Sequence, residues 1–317
     1  MEALLSKRVQ EMVQNGEEPP PPYVRRDVNC TQTVTSTLCS PPTIDFGLIS
    51  SSSTPVTKQK EELQKLRSAL SSWGCFQAIN HGTSSTLLGK VREVAREFFK
   101  QPVEQKKKIS KGVKEFEGYG ADPVPEEGQF LDWSDRLCLD VYPENRRKSS
   151  LWPENPPSFR KIVEEYTAKL REATNLISTA MAKSLDLEEN CFLNQFDGSG
   201  YTIILQDDVE GLQVHNNDKW FTIPTISHAL FVLMGDQMEI MTNGIFKSPM
   251  HRVLVNSKRE RISVAMFYTP EPNKEIGPEQ GLVNEEQPKL FKKVKDYADT
   301  HWEYYQRGTR AIHVAKV

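Results

Sequence analysis

No stretch of this 317-residue chain has enough consecutive apolar residues to cross a bilayer, and residues 1–14 lack the apolar core of a secretory signal. A cytoplasmic protein without a membrane partner is expected. Charge of one sign is also scarce, since 40 basic and 43 acidic side chains leave a formal net charge of −3. That balance offers nucleic acid and anionic membranes no electrostatic attraction, so the expected partner is a small molecule. Cysteine is sparse as well: Cys30, Cys39, Cys75, Cys138 and Cys191 include no Cys-x-x-Cys pair and are odd in number. They read as reduced structural thiols in a reducing compartment, not as a disulfide framework. No internal repeat is evident, so the chain is not an array of like units. What remains is ordinary globular material, 37% hydrophobic and 26% charged, enough to bury a sizeable core in one large or two modest domains.

Residues 16–53 are rich in Pro, Ser and Thr, including the run from Pro19 to Pro22, and should run extended over the surface. One short strand is expected there, at residues 43–46. Leu63, Leu66, Leu70 and Trp73 recur at helical spacing, as do Leu88, Val91, Val94 and Phe98, which predicts amphipathic helices over 58–73 and 85–100. A strand ending in a turn is expected between them, at 74–82. The longest helical pattern, over 158–184, carries a stripe from Phe159 to Met181 wide enough to cover a sheet. The texture then changes to short β-type runs at 201–205, 211–214, 220–223, 229–233, 239–242, 251–256 and 261–268, most of them separated by Gly, Pro, Asn or Asp. Many short strands with frequent turns predict a sandwich or jelly roll, with a closing helix over 291–306. The division expected is an extended arm at 1–42, a helical region at 43–187 and a β-rich region at 188–317.

Taken singly, the candidate site residues are ordinary. Asp197-Gly198 is a turn signal, His251 one histidine among six, Arg261 part of the charged run Lys258-Arg259-Glu260-Arg261, and Ser263 and Phe267 unremarked strand residues. Their order changes the reading. Ile44-Asp45, Trp73-Gly74-Cys75-Phe76, Asn80-His81-Gly82, Glu117-Gly118-Tyr119-Gly120, Leu131-Asp132-Trp133 and Trp152-Pro153 are followed by Asp197-Gly198-Ser199-Gly200-Tyr201-Thr202. Then come Gly211-Leu212-Gln213-Val214, Gly235-Asp236, Thr242-Asn243-Gly244, Ser248-Pro249-Met250-His251-Arg252 and Arg261-Ile262-Ser263. In this order the chain resembles the plant-type 2-oxoglutarate and iron(II)-dependent dioxygenases, oxygenases of plant specialised metabolism. The resemblance runs from about Thr43 to Arg307.

It implies an α+β fold with a mainly β core, a double-stranded β-helix (jelly roll) with flanking helices. It also implies Fe(II), 2-oxoglutarate as cosubstrate and ascorbate, with oxidation of a small metabolite by hydroxylation, desaturation or demethylation. By residue, it implies Asp197 and His251 as metal ligands, and Arg261 and Ser263 as the binders of the far carboxylate of 2-oxoglutarate. Phe267 would contact substrate. The chemistry suits those roles: iron(II) accepts imidazole and carboxylate, and a guanidinium fork beside a hydroxyl suits a buried carboxylate. Arg261 and Ser263 are two apart, hence on one face if both lie on a strand.

The pattern departs from the family at one place. Members carry His-x-Asp, preceded by a strand with Asn-x-Tyr-Pro-Pro, whereas this chain has Gln195 two positions before Asp197 and no such strand. The reading is an internal deletion of roughly ten residues or more that takes one core strand, its turn and the first metal histidine together. The alternative function is then a catalytically disabled small-molecule binding protein or an unstable deletion product. Gln195 would be a weak substitute ligand. The only His-x-acid triplet, His301-Trp302-Glu303, falls in a helical pattern where residues two apart do not face each other. His81 reads as structural, and Lys106-Lys107-Lys108 as a solvated helix end.

Overall fold

Punctuation residues set most element boundaries across residues 8–24, 33–34, 40–112, 115–121, 131–194, 200–268 and 274–317, the parts described by the computed structural model. The helices among them are α1 (Val9–Gln14), α2 (Phe46–Ser50), α3 (Val56–Ser72), α4 (Ser85–Phe99), α5 (Val103–Lys107), α6 (Phe159–Ser184), α7 (Cys191–Asn194), α8 (Asp236–Met241) and α9 (Tyr297–Gln306). The strands are β1 (Thr33–Val34), β2 (Thr43–Asp45), β3 (Cys75–Ile79), β4 (Gly118–Gly120), β5 (Arg136–Cys138) and β6 (Tyr201–Gln206). They continue with β7 (Leu212–Asn216), β8 (Lys219–Thr222), β9 (Leu230–Met234), β10 (His251–Val253) and β11 (Ser263–Tyr268). None of the described helices is long and apolar enough to cross a membrane. The described cysteines, Cys75, Cys138 and Cys191, are free thiols, while Cys30 and Cys39 lie outside the described residues.

The chain divides into two units. One comprises Met1–Asn29, Gly89–Thr167 and Gln306–Gly308. In it, Val9, Met12, Tyr23 and Leu131 bury together, and Val94, Phe98, Tyr119 and Phe159 form a second cluster. The first turn of α1 receives its anionic partner from far along the chain: Asp135 accepts from the Val9 and Gln10 amides at 3.1 and 3.0 Å. Lys106 corrects the expected solvated basic run. It is only 2% exposed, because its ammonium donates to the Phe99 carbonyl at 2.7 Å and to Gln10 while lying over the Tyr119 ring.

The other unit comprises Cys30–Leu88, Ala168–Tyr305 and Thr309–Val317. It holds a four-stranded sheet in the order β1-β8-β7-β10 and a five-stranded sheet in the order β11-β6-β9-β3-β2. Asn217 and Asp218, both at positive φ, make the tight turn between β7 and β8. Leu212 and Val214 of the first sheet, with Ile223 just after β8, pack with Cys75, Ile204, Phe231 and Leu233 of the second. The outer face of the second sheet meets α6, where Tyr201 donates to the Thr174 carbonyl at 3.2 Å and lies 3.1 Å from the Ser178 hydroxyl. All five residues of β9 are buried, as a strand covered on both faces requires.

Three expected elements differ. Residues 239–241 belong to a helix with Thr242 as its C-cap, not to a strand: Asp236 and Glu239 occupy the acid-favouring first turn of α8, and the two apolar residues Ile240 and Met241 are too few to distinguish the two periods. The closing helix begins at Tyr297, not 291, because Phe291 bridges to Lys316, Val294 bridges to Ile276, and Asp296 takes a left-handed φ of 49°. Within the expected extended arm, Asp45 caps the amides of Gly47 and Leu48 at 2.9 and 3.4 Å and starts the short helix α2. Residues 25–32 and 35–39 of that arm lie outside the described residues.

Candidate functional site

Opposed residues in antiparallel strands share a face, so the register shows which side chains point between the sheets. Ser263, Ala265 and Phe267 of β11 stand opposite Gln206, Ile204 and Thr202 of β6, and Ile204 belongs to the core between the sheets. Ser263, Ala265 and Phe267 therefore point inward. On the other sheet His251 and Val253 of β10 stand opposite Val214 and Leu212, which are also core residues, so they point inward too. Yet β10 and β11 are the end strands of their sheets, and all five of these inward residues are exposed, Phe267 by 70%. Along this side the sandwich opens to solvent, and a mostly apolar lining carries one imidazole and one hydroxyl.

Arg261 stands two residues before Ser263, just outside the strand. Its Nη1 nevertheless lies 3.3 Å from Ser263 Oγ, and its Nη2 donates to Gln206 Oε1 at 3.2 Å. Its Nε is buried without a hydrogen-bond partner, and burial lowers its pKa against the opposing charge of Asp207. A guanidinium fork beside a hydroxyl has the donor chemistry that suits a carboxylate. Gly211 makes room for it, since a Cβ there would stand 3.0 Å from Arg261 Cδ and 3.0 Å from the Leu254 carbonyl. Gly211→Ala is accordingly expected to weaken carboxylate binding about tenfold, measured by titration with 2-oxoglutarate, while leaving the fold intact.

His251 has its Nδ1 3.4 Å from the carbonyl of Pro249. A carbonyl only accepts, so this contact favours the tautomer with the proton on Nδ1 and a bare Nε2. Desolvation by the surrounding protein lowers its pKa although the ring is exposed. A solvent-accessible ring walled by protein accounts for both. Gln195 and Asp197 lie outside the described residues, and among the described ones no group of three or more His, Cys, Asp and Glu side chains gathers as a metal site. His301 instead lies 3.7 Å from Asp236 on α9. His81 is buried, with Nδ1 accepting from the Thr83 amide and Nε2 facing the His228 carbonyl.

A family profile described as the N-terminal region of a non-haem dioxygenase in morphine synthesis matches residues 41–155, and one described as the 2OG-Fe(II) oxygenase superfamily matches 187–270. Protein SRG1 of Arabidopsis thaliana is 34% identical, with the match covering 94% of this chain and 92% of that protein. The chain belongs to the plant-type 2-oxoglutarate and iron(II)-dependent dioxygenases. Codeine O-demethylase of Papaver somniferum is 36% identical to this oxygenase-family chain over 74% of it and 73% of the relative. Among solved structures, JOX2 in complex with 2OG, Fe and JA matches with a TM-score of 0.83 at 28% identity, covering 98% of both chains. Family membership implies Fe(II) and 2-oxoglutarate, and the jelly-roll arrangement of the two sheets agrees with it.

Sequence reasoning missed Gln206, which steadies Arg261, and Asp207, which accepts from the Ile262 and Val209 amides at 2.8 and 2.9 Å. Strand register would have found Gln206, since it stands opposite Ser263. It also missed Asp236, which is 5% exposed and accepts from Tyr297 at 2.9 Å and Arg310 at 3.0 Å. Burial alone would raise the Asp236 pKa, but hydrogen bonds from His301, Ser248 and Tyr297 and the charge of Arg310 together lower it below the ordinary 3.8. A carboxylate with a depressed folded-state pKa contributes stability that is present above the unfolded value and lost as pH falls through the folded one. Acid unfolding of this family member is therefore expected to begin below about pH 4, and Asp236→Asn should flatten that limb when followed by circular dichroism.

Proposed function

We propose that the chain oxidises a small organic metabolite of plant specialised metabolism in the cytoplasm, by hydroxylation, desaturation or demethylation, with 2-oxoglutarate as cosubstrate and ascorbate sustaining the iron. The observation that carries this reading is the partnerless guanidinium donor of Arg261 beside Ser263, at the open side of the two sheets. Arg261 and Ser263 bind and orient the far carboxylate of 2-oxoglutarate. His251 offers Nε2 to the metal, and Asp197 supplies a carboxylate to it. Phe267 gives the substrate an apolar wall. Iron(II) and 2-oxoglutarate, when bound, would let dioxygen act as the oxidant, with 2-oxoglutarate leaving as succinate and carbon dioxide. The relatives named codeine O-demethylase and flavonol synthase/flavanone 3-hydroxylase support a small-molecule substrate.

A second reading is carried by Gln195, which stands where the family's first metal histidine belongs. In this reading the chain lacks one core strand and retains small-molecule binding without turnover. It also rests on β10 and β11, which end their sheets with exposed inner faces. The experiment is succinate formation from 2-oxoglutarate with iron(II) and ascorbate, beside a His251→Ala control. Turnover that depends on His251 supports the oxygenase. Absence of turnover, with a thermal midpoint that rises on adding 2-oxoglutarate alone, supports the binding protein.

A further inference from the structure

The segment leading into His251 is held at residue after residue. The Lys247 amide donates to the Leu70 carbonyl at 3.0 Å, the Ser248 amide donates to Glu239 Oε2 at 2.6 Å, and the Met250 carbonyl accepts from the His215 amide at 2.8 Å. Ser248 is the centre of this arrangement. Its carbonyl accepts from Arg310 Nη2 at 2.9 Å, and the same nitrogen donates to Asp236 Oδ1 at 3.0 Å. Its side chain also hydrogen-bonds to Asp236, whose other oxygen accepts from Tyr297. Two acids of α8, a tyrosine of α9 and an arginine from the C-terminal segment thus converge three residues before His251. Arg310 lies beyond residue 270, where the matched oxygenase profile ends.

We propose that Arg310, with Asp236 and Glu239, acts through Ser248 as a positioning group that fixes the Pro249 carbonyl under His251 Nδ1 and so presents Nε2 to the metal. This rests on the reading of His251 as a metal ligand. A peptide pinned on both sides cannot rotate, so the carbonyl one residue on keeps its direction. The imidazole above it then keeps one tautomer. Groups that orient a ligating histidine in this way contribute to metal affinity without touching the metal. Arg310 is suited to a test because its side chain is 42% exposed, and its removal leaves no large cavity.

The experiment uses the full chain labelled with 15N in histidine, with His251 assigned among the six histidines by His251→Ala. At a pH where the ring is neutral, wild type should show Nδ1 protonated and Nε2 bare. Arg310→Ala should give a tautomer mixture at His251, with the His81 signals unchanged because its two nitrogens are held elsewhere. Arg310→Lys should restore part of the wild-type signal. Cobalt(II), used as the metal probe, should bind about tenfold more weakly to Arg310→Ala, with metal-free affinity for 2-oxoglutarate unaltered. Ser248→Ala, which removes only the hydroxyl link to Asp236, is a second and milder variant. An unchanged His251 tautomer in both variants would overturn the proposal. A lost tautomer together with cobalt binding that does not need His251 would instead sink the metal-ligand reading and leave the positioning role standing.

Discussion

Arg261→Ala is expected to weaken 2-oxoglutarate binding by roughly a hundredfold, about 3 kcal/mol, because in the proposed carboxylate site it removes the guanidinium charge and both fork donors. Titration calorimetry on the metal-free protein reads this directly. Arg261→Lys should recover only a small part, since an ammonium cannot reach Gln206, Ser263 and a ligand carboxylate with one planar fork. The fold should survive both changes: Asp207 keeps the amides of Val209 and Ile262, which hold the turn and the entry to β11 without Arg261. Unaltered affinity in both variants would show that the cosubstrate is anchored elsewhere.

Gly74→Ala should give the largest loss of stability. Gly74 follows α3 with φ +65°, where its amide donates to the Ala69 carbonyl, and a Cβ there would sit 2.2 Å from the Lys247 carbonyl oxygen. The left-handed conformation alone costs an alanine about 1–2 kcal/mol, and the overlap with fixed backbone raises the total to about 3 kcal/mol or more. Gly82→Ala is the matched control, because Gly82 also has positive φ but its Cβ would meet nothing within 4 Å. Urea unfolding followed by tryptophan fluorescence separates the two, and the difference between the variants measures the overlap. Since Lys247 begins the segment to His251, Gly74→Ala should also weaken metal binding. Equal midpoints for the two variants would mean that the backbone at Lys247 yields freely.

Much of the helical framework was legible because amphipathic spacing is a local signal. The helices expected at 58–73, 85–100 and 158–184 form as α3, α4 and α6 within two residues at each end. The strands expected at 211–214 and 220–223 form as β7 and β8, joined at Asn217-Asp218, where two consecutive residues take left-handed conformations. Short segments were less readable. Residues 239–242 are alike in composition whether strand or helix, and their fate was decided by acids at the start of α8 and by Gly244, whose amide closes on the Glu239 carbonyl.

Arg261, Ser263, His251 and Asp197 are given their roles by the ordered resemblance to the family, not by their residue types taken alone. Gln195 is likewise a fact of sequence alone. The tertiary structure decided what each described residue can do. Pairing with β6 and β7 turned Ser263, Phe267 and His251 inward, and the end positions of β10 and β11 left them open to solvent. Packing on Gly211 and Gln206 left one guanidinium donor of Arg261 without a partner. The links from Asp236 to Arg310 join groups 74 residues apart, which no local pattern announces, because such a contact is fixed by where the two segments meet in the fold.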